Sequence, residues 1–383
     1  MSSRQAQPGG AGSSSHTPSW RSVHIYYHAP GKEDLLLDAV RPLFGLVDDD
    51  VQGAYFTRHW RQGPHLRLNF LTSATAWDAT VRPAVETVVG GFLRAHPSTE
   101  RLDEQAELPK HQFLAELERD TGPLQPWYPD NSIQYMPYES RSHAVGSQAA
   151  ADLLTRFHVS ATGLAFRMLD AIRAGEDRVD LATGLMLATS HTMLPPLTAS
   201  FVAYRAHAEG FLANCAEPGR TRSMFGQLYR DRKDALADRL AAVLTSLDGD
   251  PPEPARFVRE WAALVREYGR RAGPLIASGA LYGLPRAGGP MARGLRISEL
   301  HELMTSSPGY HASLYQSPRF LPYRLTLNCT YLFLGRLGVT PVQRFTACHL
   351  TANTVEDVYG VSAVDLLREV IGRQRETRRG ATT

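Results

Sequence analysis

AYFTRHWRQGPHLRLNFL, residues 54–71, holds two strand-like runs, Ala54 to Arg61 and Leu66 to Leu71, joined by the turn-forming Gln62-Gly63-Pro64. Aromatic and branched residues on either side of a Gly-Pro break predict an antiparallel hairpin. The two-residue period of a strand sets Arg67 and Asn69 on one face and Leu66, Leu68 and Phe70 on the other. Upstream, Val23, Ile25 and Tyr27 alternate with His24 and Tyr26 as another strand, and Lys32 to Leu46 reads as an amphipathic helix. Downstream, a helix is expected over about 73–95, then a polar stretch rich in Pro and Gly to about Gly146. Beyond it, apolar residues at three- and four-residue spacing predict helices over 148–173, 197–214, 226–246 and 254–272. Further helices follow at about 296–305, 322–336, 341–357 and 361–376, with breaks at Pro195-Pro196, Asp248 to Pro252 and 283–294. No internal repeat is visible. The fold class is therefore α+β: an N-terminal antiparallel sheet portion (19–146) with a larger, mostly helical portion (147–383), together one domain. Residues 1–18, Ser, Gly and Pro with almost no apolar content, read as a flexible tail that cannot offset the entropy of ordering.

Composition narrows the function classes. The 383 residues carry a net charge of only +2, and all but three of the 41 basic residues are arginine. This balance argues against general nucleic-acid binding, which needs an excess of phosphate-neutralising charge. Cys215, Cys329 and Cys348 are far apart and form no CxxC pair, so neither a disulfide framework nor a cysteine-rich zinc site is indicated. With no apolar run near the roughly 18 residues of a membrane span, the expectation is a cytoplasmic protein in a reducing compartment. Phosphate-loop, dinucleotide-fingerprint, HExxH and GxSxG patterns are absent, so no cofactor or metal is expected.

Three constellations can carry chemistry. Arg67 in mid-strand either is solvated or ion-paired, or grips a carboxylate or carbonyl with its planar donor fork, with Asn69 beside it. The stretch 310–323 (YHASLYQSPRFLPY) gathers Tyr310, Tyr315, Gln316, Ser317, Arg319 and Tyr323 around two prolines. It either lines a concave site for a flat substrate or packs as tyrosines with wet tips. His349, Asn353 and Glu356 share a helical face at i, i+4 and i+7, as a general base held in one tautomer or as a hydrogen-bonded core histidine. Cys348 has no evident activator and reads as a small core residue.

Taken in order, Trp20, the strand Val23 to Tyr27, the Leu-rich helix 35–46, Phe56 to Arg61 (FTRHWR) and Gly63 to Leu68 (GPHLRL) resemble the lantibiotic dehydratase C-terminal (thiopeptide-type bacteriocin biosynthesis) family. Gln134 to Glu139 (QYMPYE), Gly146 and the helix with Phe157 to Ser160 resemble its tyrosine-proline-glutamate block and following helix. The resemblance spans most of 20–365 and implies a fold similar to the elimination domain of lanthipeptide dehydratases. The glutamate-elimination branch carries a His-x-Asn-Arg-Leu-like helix; the corresponding Leu325 to Val339 here has neither the histidine nor an Asn-Arg pair. Leu337 to Asn353 (LGVTPVQRFTACHLTAN) is instead similar to thiopeptide pyridine synthases.

That branch implies a formal aza-[4+2] cycloaddition of two dehydroalanines in a modified precursor peptide, then loss of water and leader peptide to leave a pyridine. Within this expectation Ser317, Tyr323, His349 and Arg67 are the candidate catalytic residues. Tyr310, Tyr315, Gln316, Arg319 and Asn69 are the candidate substrate-binding ones. The implied partners are the azole- and dehydroalanine-bearing precursor with its leader and other enzymes of the pathway, without nucleic acid or membrane. The alternatives are a stand-alone glutamate-elimination subunit and a non-catalytic scaffold that binds precursor peptide.

Overall fold

The structure is a computed structural model that describes residues 17–118, 120–249, 254–281, 296–307, 309–310, 314 and 317–380. The expected tail therefore lies almost wholly outside the described residues. The chain packs as two compact units, Met1–Glu139 and Ser140–Thr383.

In the first unit, strands β1 (Ser19–Tyr26), β2 (Gly53–His59), β3 (His65–Thr72) and β4 (Ser132–Met136) form one sheet in the order β2-β3-β1-β4. Every neighbour is antiparallel. The hairpin is as predicted: His59 faces His65 in register, and its turn uses positive φ at Gln62 (58°) and Gly63 (104°). A Cβ on Gly63 would come within 3.2 Å of His28 Nε2, so space and conformation both favour glycine there.

Helix α1 starts as a π-helical turn (Leu35–Val40) and continues as Arg41–Leu46; α2 likewise runs from Trp77–Val81 into Arg82–Ala95. Both cover the apolar face: Phe70 meets Phe44 at 5.3 Å and Trp77 at 6.3 Å between ring centroids. The core of this unit is Val23, Ile25, Phe56, Leu66, Leu68 and Phe70 under Leu36, Val40, Val81, Val85 and Val89. The polar stretch before Gly146 is more ordered than its composition suggests, because it contains helix α3 (Glu104–Glu118) as well as β4. Both are weak signals: α3 carries Pro109 in its interior, and β4 is a five-residue edge strand that is half-buried throughout.

The second unit is helical: α4 (Gln148–Ser160), α5 (Thr162–Arg173), α6 (Arg178–Met193), α7 (Val202–Asn214), α8 (Pro218–Asp248), α9 (Val258–Ala277), α10 (Glu299–Thr305), α11 (Phe320–Arg336), α12 (Pro341–Tyr359) and α13 (Ala363–Gly380). Helix α6 packs against α8, α9, α11 and α12. It is buried at every position from Leu181 to Ser190, so it has no polar face and no amphipathic period, and a periodicity reading passes over it. Its start is fixed by Asp177, whose carboxylate accepts from the amides of Val179 and Asp180. Helix α12 begins with a capping box, Thr340 with Gln343, and ends at Gly360 with φ 61°.

Candidate active site

The predicted residues fall in three places, one in the first unit and two in the second. In the first unit, the polar sheet face carries Ser22, His24 and Tyr26 on β1 opposite Asn69, Arg67 and His65 on β3. All six are more than nine-tenths buried. Arg67 donates from Nη1 to Glu139 at 3.0 Å and from Nε to His65 Nε2 at 3.2 Å. His65 in turn donates from Nδ1 to the Gly63 carbonyl at 2.9 Å, which fixes its neutral tautomer. Arg61 takes the other oxygen of Glu139 at 2.5 Å and Asp120 at 2.8 Å. The ion-paired reading of Arg67 thus describes the geometry, with its buried Nη2 left unpartnered. Burial, then Arg67 and Arg61, push the His24 pKa down to about 3. His24 stacks on His65 at 4.8 Å, and both rings are neutral.

In the second unit, Ser317 is half-buried in the turn ahead of α11, where its hydroxyl accepts from the Phe320 amide at 3.2 Å. Arg319 is exposed and donates to the Pro195 carbonyl at 3.1 Å, tying the start of α11 to the chain before α7. Tyr323, one turn inside the helix, is 1% exposed. Its hydroxyl donates to the Ser200 carbonyl at 2.9 Å and contacts Ser190 Oγ at 3.0 Å. Burial raises its pKa, so the phenol stays protonated. Tyr204 beside it donates to the Met186 carbonyl at 2.6 Å. Tyr323 is therefore a core tyrosine with a satisfied hydroxyl. Tyr310 is half-buried, while Tyr315 and Gln316 lie outside the described residues.

The helical-face spacing of His349, Asn353 and Glu356 is realised on α12. The Asn353 amide donates to His349 Nε2 at 2.8 Å, leaving the proton on Nδ1, which is buried and unpartnered. Arg205 of α7 donates to Asn353 Oδ1 at 2.5 Å and to both oxygens of Glu356. Glu209 stands 3.9 Å from Arg205 and accepts from Arg222 of α8 at 2.6 Å. Burial first and the Arg205 cation second lower the His349 pKa to about 4. This is a neutral histidine, hydrogen-bonded to Asn353, inside an ionic network that joins α7, α8 and α12. Cys348 is fully buried and its thiol is pushed up to about 12, as a core cysteine should be.

One cluster has no counterpart in the sequence reading. His207 of α7 lies 5.0 Å from the ring of Tyr331, over which Arg344 sits at 5.2 Å. The Tyr331 hydroxyl meets Cys348 Sγ at 3.6 Å. A lone histidine in Tyr204 to Phe211 has no motif; only the approach of α11 and α12 gives it partners. A cavity of about 420 Å³ between α4 and α9, lined by Leu153, Arg156, Arg271 and Leu275 among others, holds none of the predicted residues. Among the described residues no group of His, Cys, Asp or Glu is placed to hold a metal ion, and no helix is long and apolar enough to cross a membrane.

A small antiparallel sheet preceding a helical bundle, with HLRLNF on the third strand, is matched over residues 20–355 by the family model described as Lantibiotic biosynthesis dehydratase C-term. The chain belongs to that family. Among solved structures it is similar to "Pyridine synthase, TbtD, from thiomuracin biosynthesis", with 36% identity, a TM-score of 0.73, and 90% of this chain and 99% of that one covered. It shares its fold with TsrL at 23% identity and a TM-score of 0.68, covering 92% of this chain and 98% of that one. The tRNA-dependent lantibiotic dehydratase MibB from Microbispora sp. 107891 aligns at 15% identity and a TM-score of 0.46, over 93% of this chain and 29% of that one. No curated protein sequence matches.

Proposed function

We propose that this protein is a thiopeptide macrocyclase, an enzyme acting on a ribosomally made precursor peptide. It joins two dehydroalanines in a formal aza-[4+2] cycloaddition, then releases water and the leader peptide to leave the central pyridine. The observation that carries the reading is the near full-length similarity to the pyridine synthase from thiomuracin biosynthesis. The missing histidine and Asn-Arg pair in Leu325 to Val339 speak against glutamate elimination.

Two dehydroalanines on a flexible peptide meet rarely, so holding them together is the largest task; effective molarities of this kind correspond to roughly 7–11 kcal/mol. One amide must react as its imidic-acid tautomer, and hydroxyl donors assist by polarising its carbonyl. Ser317 and Tyr323 are proposed for that work, Ser317 from the turn and Tyr323 from inside the bundle by exchanging its bond to the Ser200 carbonyl for one to the substrate. In the eliminations, positioned acids and bases supply about 10²–10⁴-fold. His349 and Arg67 are proposed to assist, with Tyr310, Tyr315, Gln316, Arg319 and Asn69 contacting substrate. The reaction needs no oxidant: each ring C–H pair lost becomes a π bond as a C–O or C–N bond breaks, and the departing oxygen or nitrogen takes a proton.

Mass spectrometry tests the reading. The protein is incubated with an azole-bearing peptide that carries its leader and two dehydroalanines. Loss of water and of the leader as a carboxamide is expected. No mass change with such peptides, or conversion of a glutamylated peptide to dehydroalanine, overturns it.

A further inference from the structure

His207 lies on α7, beside Tyr331 of α11. It is half-buried, and neither ring nitrogen has a hydrogen-bond partner among the described residues. Four helices supply the groups that face it. From its own α7, Gly210 lies so close to His301 of α10 that an added Cβ would be 3.3 Å from His301 Cε1. His301 is itself oriented by Ser298, 2.7 Å from Nδ1. Helix α11 supplies Tyr331, against the imidazole, and Arg324; α12 supplies Arg344, stacked on Tyr331 and on Phe345 at 5.0 Å.

The charged groups acting on the ring are two guanidiniums and a second imidazole, with no carboxylate among them. Burial first, then Arg344, His301 and Arg324, lower the His207 pKa to about 4. A neutral imidazole keeps one N–H donor and one lone pair. Neighbouring cations weaken the lone pair as a base and strengthen the N–H as a donor, so an unpartnered ring here is better suited to polarising a carbonyl than to taking a proton. Enzymes that hold a histidine neutral for this purpose are established as a type. Tyr204, one turn earlier on α7, and Tyr323, two turns before Tyr331 on α11, put His207 in the same helical bundle as the proposed hydroxyl donors.

We propose that His207 is a catalytic residue that donates a hydrogen bond to the carbonyl oxygen of the amide entering the cycloaddition as its imidic-acid tautomer, with Tyr331 and Arg344 positioning the imidazole. The assignment rests on the macrocyclase reading.

The test compares wild type, His207→Leu and His207→Gln on the azole-bearing, bis-dehydroalanine peptide with its leader, following kcat and KM by mass spectrometry and folding by circular dichroism. Losing one carbonyl donor of this kind costs on the order of 10²–10³ in kcat. That loss is expected in His207→Leu with KM nearly unchanged, while His207→Gln, which keeps a neutral N–H donor, retains activity to within about tenfold of wild type. A folded His207→Leu protein at wild-type rate overturns the assignment, as does a folded His207→Gln protein whose kcat falls by the full 10²–10³-fold. If His207→Leu does not fold, pH profiles of wild type and His207→Gln decide: they should coincide from about pH 5 to about pH 8, and an acid limb near pH 6.5 present only in wild type overturns the donor role. A wild-type protein inert on every such peptide refutes the macrocyclase reading itself, and the assignment with it.

Discussion

Replacing His349 by Gln should make the protein markedly less sensitive to acid. His349 is 6% exposed and its pKa is lowered from 6.5 to about 4, chiefly by burial. The unfolded chain therefore binds a proton more readily than the folded one between these values. The neutral ring's contribution is fully present above about pH 6.5 and is lost as pH falls toward 4. At about pH 4.5 that single group removes roughly 2.5 kcal/mol relative to pH 7, from 1.36 kcal/mol per pKa unit. Gln does not titrate, and its side-chain oxygen can accept from the Asn353 amide as Nε2 does. Urea unfolding followed by far-UV circular dichroism at both pH values gives the comparison. The wild type should lose about 2.5 kcal/mol more than His349→Gln on acidification. Equal losses, within about 0.5 kcal/mol, would refute the reasoning that burial and Arg205 hold this ring neutral.

Tyr323→Phe removes the donor to the buried Ser200 carbonyl, an expected cost of about 1–3 kcal/mol with slower turnover; an unchanged melting temperature and rate would remove Tyr323 from both roles. Arg205→Met strips Asn353 and Glu356 of their shared donor, and roughly 3 kcal/mol of stability should go with it. The same change should raise the His349 pKa, since a lowering cation is gone, and an imidazole titration by NMR reads the shift. Thr340→Ala opens the capping box at the start of α12 and should cost about 1 kcal/mol in a urea melt, with Thr340→Ser restoring most of it.

The hairpin 54–71 was legible because a short-range signal, two alternating runs around Gly63-Pro64, coincides with a short-range structure. The polar face of β3 was legible for the same reason, since a period of two needs no distant partner. Helix α6 and strand β4 were not: one is buried on all sides, and the other is a short edge strand whose pairing with β1 is a long-range event. The i, i+4, i+7 face of His349, Asn353 and Glu356 was visible in sequence, but not Arg205, the cation that binds it from another helix.

By itself, then, the sequence determined the class of fold, the hairpin, the face of Arg67 and the helical face of His349, because each is set by local periodicity. Only the tertiary structure decided that Arg67 is ion-paired with Glu139, that Tyr323 sits inside the bundle with its hydroxyl satisfied, and that His207 meets Tyr331 and Arg344. Burial and the charges brought from remote elements set the protonation state of a side chain. Neither is encoded in the few residues on either side of it.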